Sequence, residues 1–258
     1  MKETVLDKLK FVDQFNLARP RKTQADMFLL YYLGVLALRH TNSNVLEIGV
    51  GLSSYAMHEL TTMFDQIFYA VDIEESRLNT FCFDNTHTKK INKPSAQLHN
   101  TEVGALGYVN IDGDKNYTNT RQDLQFAYEH LDDMGIVSVN AYGLNCWPTV
   151  MQAVNSYVAD GVFEILVIGD GSVWLVKQSS YLAWLQILKT DFEFELLSAC
   201  LNIHNSNALQ YTPEYFFINN LFPTPAKDVV NPEMFNEYSQ CLAKYSVNFN
   251  QSHDTGKL

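Results

Sequence analysis

Five residues suited to ligand chemistry stand at the ends of three apolar segments of this sequence. Glu47, Gly49 and Gly51 close the first segment, Asp72 the second and Asp112 the third. The glycines let the backbone turn sharply and let a ligand approach it closely, because they carry no Cβ. Asp72 lies 21 positions after Gly51, a placement that suits a carboxylate grip on the two hydroxyls of a ribose. The pairing of a glycine-rich bend with this acid indicates a nucleoside-binding site.

The glycines belong to a predicted unit of strand, turn and helix. Residues 44–49 are apolar enough for a buried strand, and residues 55–64 are expected to form the helix that follows. The bend between them, residues 49–52, is called the glycine turn below. Either Ser53 or Ser54 could cap the helix, and a ligand over the turn would meet bare backbone N–H groups and a helix N-terminus.

Two further predicted strands carry polar groups at their ends. Asp112 is followed by Asp114 and Lys115, and the strand predicted at 135–140 ends in Asn140. Ligands of an open parallel sheet bind outside the carboxyl ends of its strands. We therefore expect these side chains to line the same site as the glycine turn.

Strands and helices alternate along the predicted chain, which implies an α/β fold with a mainly parallel sheet and helices on both faces. An Asp-Gly turn between two apolar runs predicts a closing hairpin, which would add an antiparallel edge. A polar loop is expected at 88–94 and a short edge strand at 96–99. The predicted strands are 44–49, 67–72, 107–112, 135–140, 163–168 and 173–176, and the predicted helices are 27–38, 55–64, 74–86, 118–131 and 148–158.

Composition and charge narrow the classes of protein and partner. The chain has 258 residues, 47% of them hydrophobic and 18% charged, as in a globular protein with a sizeable core. The net charge of −11 would repel a phosphate backbone, so no nucleic-acid partner is expected. Apolar runs stay short of the roughly 18 residues of a membrane span, and no signal peptide is evident. We therefore expect no membrane partner and a cytoplasmic location, where the four scattered cysteines would be reduced.

The glycine turn differs from a dinucleotide-binding turn and resembles the turn of another family. Ser54 replaces the last glycine of G-x-G-x-x-G, and Glu47 is an unusual residue two positions before the first glycine. The order E-x-G-x-G resembles the first motif of class I S-adenosylmethionine-dependent methyltransferases. Residues 110–117, N-I-D-G-D-K-N-Y, with Asp123 further on, resemble the fourth-strand block of a small-molecule O-methyltransferase group that often reads I-D-G-D-H-x-Y. The resemblance covers roughly residues 25–177.

This resemblance implies a Rossmann-like, seven-stranded, mainly parallel sheet with an antiparallel C-terminal hairpin. It also implies that S-adenosyl-L-methionine is the cofactor and that its methionine portion lies on the glycine turn. Glu47 would accept a hydrogen bond from the amino group of the cofactor, and Asp72 would bind its ribose hydroxyls. The expected cofactor-binding residues are Glu47, Gly49, Gly51, Ser53, Ser54, Asp72 and Asp112.

In metal-dependent relatives the fourth-strand aspartate binds a divalent cation, and a lysine three positions later is the general base. Asp112 and Lys115 have that spacing, so the resemblance implies that both are catalytic. A cation beside the ammonium would favour the neutral amine and would hold the acceptor oxygen as its anion. Residues 135–143 resemble the fifth strand of the group, which commonly ends in V-D-D-Y, but Asn140 and Ala141 replace its acids. Asparagine offers a carbonyl oxygen without charge, so a magnesium site at Asp112 and Asn140 would be weak.

The resulting hypothesis is a class I methyltransferase that transfers a methyl group to a small-molecule acceptor, at a hydroxyl oxygen. Residues 1–24 are expected to be an N-terminal extension, and residues 25–178 the cofactor-binding domain. Residues 179–258 would form a C-terminal extension that serves as an acceptor lid or as a homo-oligomer contact.

Two other functions are compatible with the same residues. A nucleoside-binding or scaffold protein that kept the fold and lost the chemistry would explain Asn140 and Ala141. An NAD-dependent oxidoreductase is a weaker alternative, because Ser54 stands in place of a glycine. Single residues also have structural alternatives: Asp72 could cap a helix, and Lys115 could form an exposed ion pair worth roughly 0–1 kcal/mol.

Overall fold

The computed structural model describes residues 22–82, 86–99, 101–144, 146–168, 171–190, 203–205 and 216–218. The predictions for residues 1–21, for most of the C-terminal extension and for the Asp-Gly turn at 170 fall wholly or partly outside these described residues. The division into two extensions and one domain therefore stays a prediction.

The described chain alternates between strands and helices, as the sequence predicts. The strands are β1 Asn44–Ile48, β2 Phe68–Asp72, β3 Thr88–Asn92, β4 Leu106–Ile111, β5 Leu131–Asn140, β6 Phe163–Ile168, β7 Ser172–Lys177, β8 Ile203–Asn205 and β9 Phe216–Ile218. The helices are α1 Lys22–Thr41, α2 Ser53–Phe64, α3 Glu75–Phe81, α4 Tyr117–His130, α5 Pro148–Ala159 and α6 Tyr181–Thr190. Short 3₁₀ turns occupy Ser95–Gln97 and Gln178–Ser180.

The sheet confirms the predicted Rossmann-like fold, with the strand order β3-β2-β1-β4-β5-β7-β6-β9-β8. β1 to β5 pair in parallel, and β7 runs antiparallel between β5 and β6. Seven of the strands form the predicted sheet, and the three-residue strands β9 and β8 extend it beyond β6. The predicted closing hairpin is present: β6 and β7 form an antiparallel pair that follows the parallel strands, and β7 lies between β5 and β6. Its run of buried residues from Val173 to Val176 is covered on both faces, as an interior strand requires.

At the β3 edge of the sheet, two predictions were wrong. Residues 88–94, expected to be a loop, contain β3, which pairs in parallel with β2. Residues 96–99, expected to be the edge strand, instead comprise the last two residues of the 3₁₀ turn Ser95–Gln97 and the two residues after it. An edge strand is only partly covered, so its sequence stays polar and lacks the apolar run that marks an inner strand. Lys89 and Lys90 on β3 also discourage pairing with another chain, as charged side chains on sheet edges do.

Two apolar layers enclose the sheet. On one face pack α1, α2, α3 and α6, and on the other pack α4 and α5. The predicted helix at 27–38 lies within α1, and its residues from Leu29 to Leu38 are buried all round, as their uniformly apolar character predicts. α6 adds the fully buried Trp184 to the same layer. None of the helices in the described part of the chain combines the length and apolar character that a membrane span requires.

Candidate functional site

Gly49 and Gly51 of the glycine turn differ in what surrounds the place where a side chain would stand. Gly49 has φ +85°, and a Cβ there would lie 2.5 Å from the carbonyl carbon of Asp112 and 2.6 Å from the nitrogen of Gly113. A Cβ on Gly51 would meet only the Nη2 of Arg77, at an ordinary contact distance of 3.6 Å. The protein's own backbone therefore requires a glycine at 49, whereas Gly51 presents a bare face that the protein leaves largely uncovered.

Three of the four backbone N–H groups of the glycine turn donate hydrogen bonds within the protein. Gly49 N–H donates to the carbonyl of Val71 at 2.9 Å, and Val50 N–H donates to Asp72 Oδ2 at 2.9 Å. Gly51 N–H donates to Ser54 Oγ at 3.2 Å. For Gly49, Val50 and Gly51 the expectation of bare N–H groups was wrong, because the turn closes on its own neighbours. A ligand there would contact the face of Gly51 and the surrounding side chains.

Ser53 and Ser54 do not cap α2. The N-cap residue is Leu52, which makes no side-chain capping bond, and both serine hydroxyls donate to the carboxylate of Glu47. Leaving a buried carboxylate without donors costs far more than leaving a helix N-terminus uncapped. The hydroxyls are therefore committed to the acid, which explains why the predicted cap is absent.

Glu47 is enclosed by protein donors. It is 0% exposed, and Asn110 Nδ2 donates to its Oε1 at 2.8 Å in addition to the two serine hydroxyls. Burial raises the pKa of Glu47 to about 7, although these hydrogen bonds act in the opposite direction. The carboxylate is thus fully occupied by protein donors and has no exposed surface, and its contact with the cofactor's amino group stays a prediction.

The raised pKa of Glu47 predicts how stability depends on pH. Native Glu47 keeps its proton up to a pKa of about 7, whereas the unfolded chain releases it near 4.5. The free energy of unfolding should therefore fall, by on the order of 3 kcal/mol, as the pH rises through this window, and then level off. Urea denaturation at a series of pH values would measure the slope, which Glu47→Gln should flatten.

A second buried acid provides the matched control for this pH experiment. Asp123 on α4 is 2% exposed, and burial raises its pKa from 3.8 to about 6. Asp123→Asn should remove only the part of the slope below about pH 6 and leave the rest. An unchanged slope in Glu47→Gln would contradict the assignment of the slope to Glu47.

Asp72 stands beside the glycine turn at the end of β2. Its Oδ2 accepts the Val50 N–H, and its Oδ1 accepts the Glu74 N–H at 2.8 Å. The N-cap residue of α3 is Glu74, so Asp72 organises the approach to the helix without being its cap. Each carboxylate oxygen can accept a second hydrogen bond, which leaves capacity for a pair of hydroxyls.

Two residues near Asp72 were missed by the sequence reasoning. Arg77 Nε lies 3.7 Å from Asp72 Oδ2, and its Nη2 would be 3.6 Å from a Cβ at Gly51. Ile73, directly after Asp72, is 68% exposed and offers an apolar surface at the same edge of the sheet. An isoleucine after a strand-ending acid was visible in the sequence, but its exposure was not.

Asp112 and Lys115 come together as predicted. Lys115 Nζ lies 2.6 Å from Asp112 Oδ1, with both side chains partly buried. Asp112 N–H donates to the carbonyl of Ile48 at 2.7 Å, which brings the end of β4 against the start of the glycine turn. Asp114 instead accepts from Asn116 and Asn119 and organises the start of α4.

The expected metal ligands do not form a cation site here. The Oδ1 of Asp112 is paired with Lys115, and Asn140 is followed by Ala141 in a left-handed conformation at φ 69°. Among the described residues, no three of His, Cys, Asp and Glu lie close enough together to hold a metal ion. One paired carboxylate and one neutral amide do not fit the oxygen-rich, charged shell that magnesium prefers.

Comparison with solved structures relates this fold to methyltransferases. MycE, a methyltransferase from the mycinamycin biosynthetic pathway in complex with Mg, SAH and mycinamycin VI, matches with a TM-score of 0.53 and 15% identity, over 68% of this chain and 54% of MycE. Another crystal form of MycE, with Mg and SAH, gives 0.51 and 16%, over 68% and 55%. SAH-bound PaMTH1 from Podospora anserina gives 0.48 and 17%, over 66% and 88%.

No protein-family model matches the sequence, and no curated protein sequence is significantly similar to it. The match spans about half the length of MycE. At this level of identity the likeness concerns the fold alone: the chain shares the Rossmann-like fold of MycE.

Proposed function

We propose that this protein is a class I S-adenosylmethionine-dependent methyltransferase that acts on a hydroxyl oxygen of a small molecule. The observation that carries the proposal is the bare face of Gly51 beside the Asp72 carboxylate, at the carboxyl ends of the parallel strands. The Lys115–Asp112 pair lies at the end of the neighbouring β4, which contacts the same turn. A cofactor cradle and a proton-handling pair thus share one edge of the sheet.

The residues of the cradle fit the parts of S-adenosylmethionine. Asp72 has two acceptor positions for the ribose hydroxyls, and Ile73 offers an apolar surface for the base. The backbone at Gly51 leaves room for the chain that carries the sulfonium. The cofactor supplies an electrophilic methyl group on this sulfonium, so the protein's main contribution is to align the acceptor oxygen with it.

Lys115 is proposed to accept the proton of the acceptor hydroxyl. Lys115 Nζ lies 2.6 Å from Asp112 Oδ1, so the carboxylate occupies the nitrogen that would receive the proton. To act as the base, Lys115 must first release a proton of its own to solvent. An acceptor that donates a hydrogen bond to Asp112 would draw this carboxylate away from Lys115 Nζ and so favour that release. No metal ion is assigned to this step, because Asp112 Oδ1 is paired with Lys115 and Asn140 brings no charge.

The solved structures support this proposal at the level of fold and ligand class. MycE is a methyltransferase described in complex with SAH and a small molecule, and its TM-score exceeds 0.5. Calorimetric titration with S-adenosylmethionine and S-adenosylhomocysteine tests the cofactor directly. A panel of hydroxylated acceptors with a radiolabelled methyl donor tests the reaction.

Gly51→Ala should weaken cofactor binding without weakening the fold. The added Cβ meets only Arg77 at 3.6 Å, so the free energy of unfolding should stay within about 1 kcal/mol of wild type. The same Cβ would occupy the face on which the cofactor lies, so its dissociation constant should rise by about tenfold or more. Calorimetry and urea denaturation give the two readouts, and unchanged affinity would contradict the proposed cradle.

A non-catalytic nucleoside-binding protein is the second candidate. The replacement of the expected acids by Asn140 and Ala141, together with the closed Lys115–Asp112 pair, favours it. Tight cofactor binding without turnover on any acceptor of the panel would support this candidate against the enzyme. Binding of NAD in place of S-adenosylmethionine would support the oxidoreductase alternative.

A further inference from the structure

A row of buried polar side chains crosses the sheet beneath the glycine turn. Glu47 on β1 is paired in register with Asn110 on β4, Asn110 with Ser138 on β5, and Ser138 with Trp174 on β7. All four residues are at most 2% exposed. Polar groups in such a position are costly unless each has a partner, so their order across the strands is informative.

The hydrogen bonds along this row have a fixed direction. Ser138 Oγ lies 2.8 Å from Asn110 Oδ1 and 3.3 Å from the carbonyl of Val109, so its one proton is directed to the nearer Asn110, whose amide nitrogen then faces β1. Asn110 Nδ2 then donates to Glu47 Oε1 at 2.8 Å. An amide has one accepting end and one donating end, so Ser138 determines which end of Asn110 faces the acid.

The chain of hydrogen bonds continues from Glu47 into the glycine turn. The Ser54 hydroxyl donates to Glu47, and the same oxygen accepts the backbone N–H of Gly51 at 3.2 Å. The row therefore ends on the residue whose bare face forms the proposed cradle. A shift of Glu47 would be transmitted to Gly51 through a single serine.

We propose that Asn110 and Ser138 are positioning residues of the glycine turn, and that Glu47 braces the turn from within instead of contacting the cofactor. This inference rests on the proposed function only for the identity of the ligand. The brace itself is a property of the protein without ligand. It differs from the role first expected for Glu47, in which its carboxylate accepts a hydrogen bond from the amino group of the cofactor.

The ionisable groups that face Glu47 define the conditions of the test. They are the Asp112 carboxylate after β4, the Cys82 thiol after α3 and the Tyr108 phenol on β4. Burial raises the pKa of Cys82 to about 12 and also raises the pKa of Tyr108, so both groups are neutral at pH 6 and pH 8. A pH effect of a new acid at 110 would then arise from its pairing with Glu47.

The decisive experiment exchanges the acid and the amide between positions 47 and 110. Asn110→Asp places two carboxylates face to face, so S-adenosylhomocysteine binding should weaken about tenfold or more at pH 8 and less at pH 6, where the pair can share a proton. The double variant Glu47→Gln with Asn110→Asp restores one donor and one acceptor with unchanged side-chain lengths. Its affinity at pH 8 should return to within about threefold of wild type.

A direct contact between Glu47 and the cofactor predicts the opposite result for the double variant. Position 47 then lacks its carboxylate, so affinity would remain as weak as in the weaker single variant. That result would overturn the brace. The brace would also be contradicted if Glu47→Gln alone lowered the affinity for S-adenosylhomocysteine by about a hundredfold or more and the double variant did not restore it.

Hydrogen exchange separates this inference from the proposed function. Ser138→Ala should speed exchange of the Gly51 amide in the ligand-free protein, because the chain of donors that holds Ser54 is shortened. Ser180→Ala is the matched control, since Ser180 is also buried and bonds a carbonyl, that of Lys177, away from the glycine turn. Unchanged exchange at Gly51 in Ser138→Ala would overturn the brace. Failure of the wild type to bind either cofactor form would instead overturn the proposed function.

Discussion

Gly49→Ala should lower the free energy of unfolding by about 2–5 kcal/mol. At φ +85° an alanine carries roughly 1–2 kcal/mol of backbone strain. Its Cβ would also lie 2.5 Å from the carbonyl carbon of Asp112, and relieving such overpacking typically costs about 1–3 kcal/mol. The backbone at Asp112 cannot move away easily, because Asp112 N–H donates to the carbonyl of Ile48 and so ties the end of β4 to β1. Urea denaturation followed by circular dichroism would measure the loss.

The control for this prediction is Gly51→Ala, only two positions away. The same substitution there meets an ordinary contact and no unfavourable φ, so it should leave stability nearly unchanged. A loss of stability at 51 that equals the loss at 49 would show that the turn is sensitive to any side chain. The proposed division between a structural glycine and a ligand-facing glycine would then fail.

Lys115→Met should reduce the rate of methyl transfer by about 10²–10⁴-fold, the usual contribution of a general base. The substitution removes the amine and keeps an unbranched apolar chain of similar length. Cofactor affinity should change by less than about threefold, because the cradle at Gly51 and Asp72 does not include Lys115. Steady-state rates with a radiolabelled methyl donor, together with calorimetry on the same preparation, would separate the two effects.

Lys177→Met provides a matched control for the lysine. The side chain of Lys177 is 18% exposed, close to the 16% of Lys115, and it also lies near a carboxylate, that of Asp133. Lys177 is the last residue of β7. Because β7 runs antiparallel to β5, Lys177 lies near the amino ends of the parallel strands, whereas the proposed site lies at their carboxyl ends. Its replacement should leave the rate of methyl transfer unchanged. A Lys115→Met enzyme that keeps its rate to within about tenfold would show that another group takes the proton.

The parallel sheet and its carboxyl edge could be predicted because their signals are local. Buried strands need continuous apolar runs, and a glycine is needed where the chain leaves one strand and approaches another. β3 escaped prediction for the same reason, since an edge strand that is only partly covered needs no apolar run. The position of β7 between β5 and β6 could not be predicted, because a hairpin in the sequence does not show which of its two strands will pair with the rest of the sheet.

The chemistry of the acids was less accessible to sequence reasoning. Glu47 was identified from its position before the glycines, but its partner Asn110 lies 63 positions away and is brought there only by the register of β1 with β4. Ser53 and Ser54 were predicted to cap the helix because capping depends on local sequence. That Glu47 is buried and needs hydrogen-bond donors depends on the tertiary structure.

The sequence by itself determined which residues stand at strand ends, and hence that the glycines, Asp72, Asp112 and Lys115 would meet at one edge of a parallel sheet. The tertiary structure alone decided which of them are enclosed by the protein and which keep an uncovered face. Burial and strand register set that difference, because a polar group removed from water must find its donors among residues that are distant in the chain.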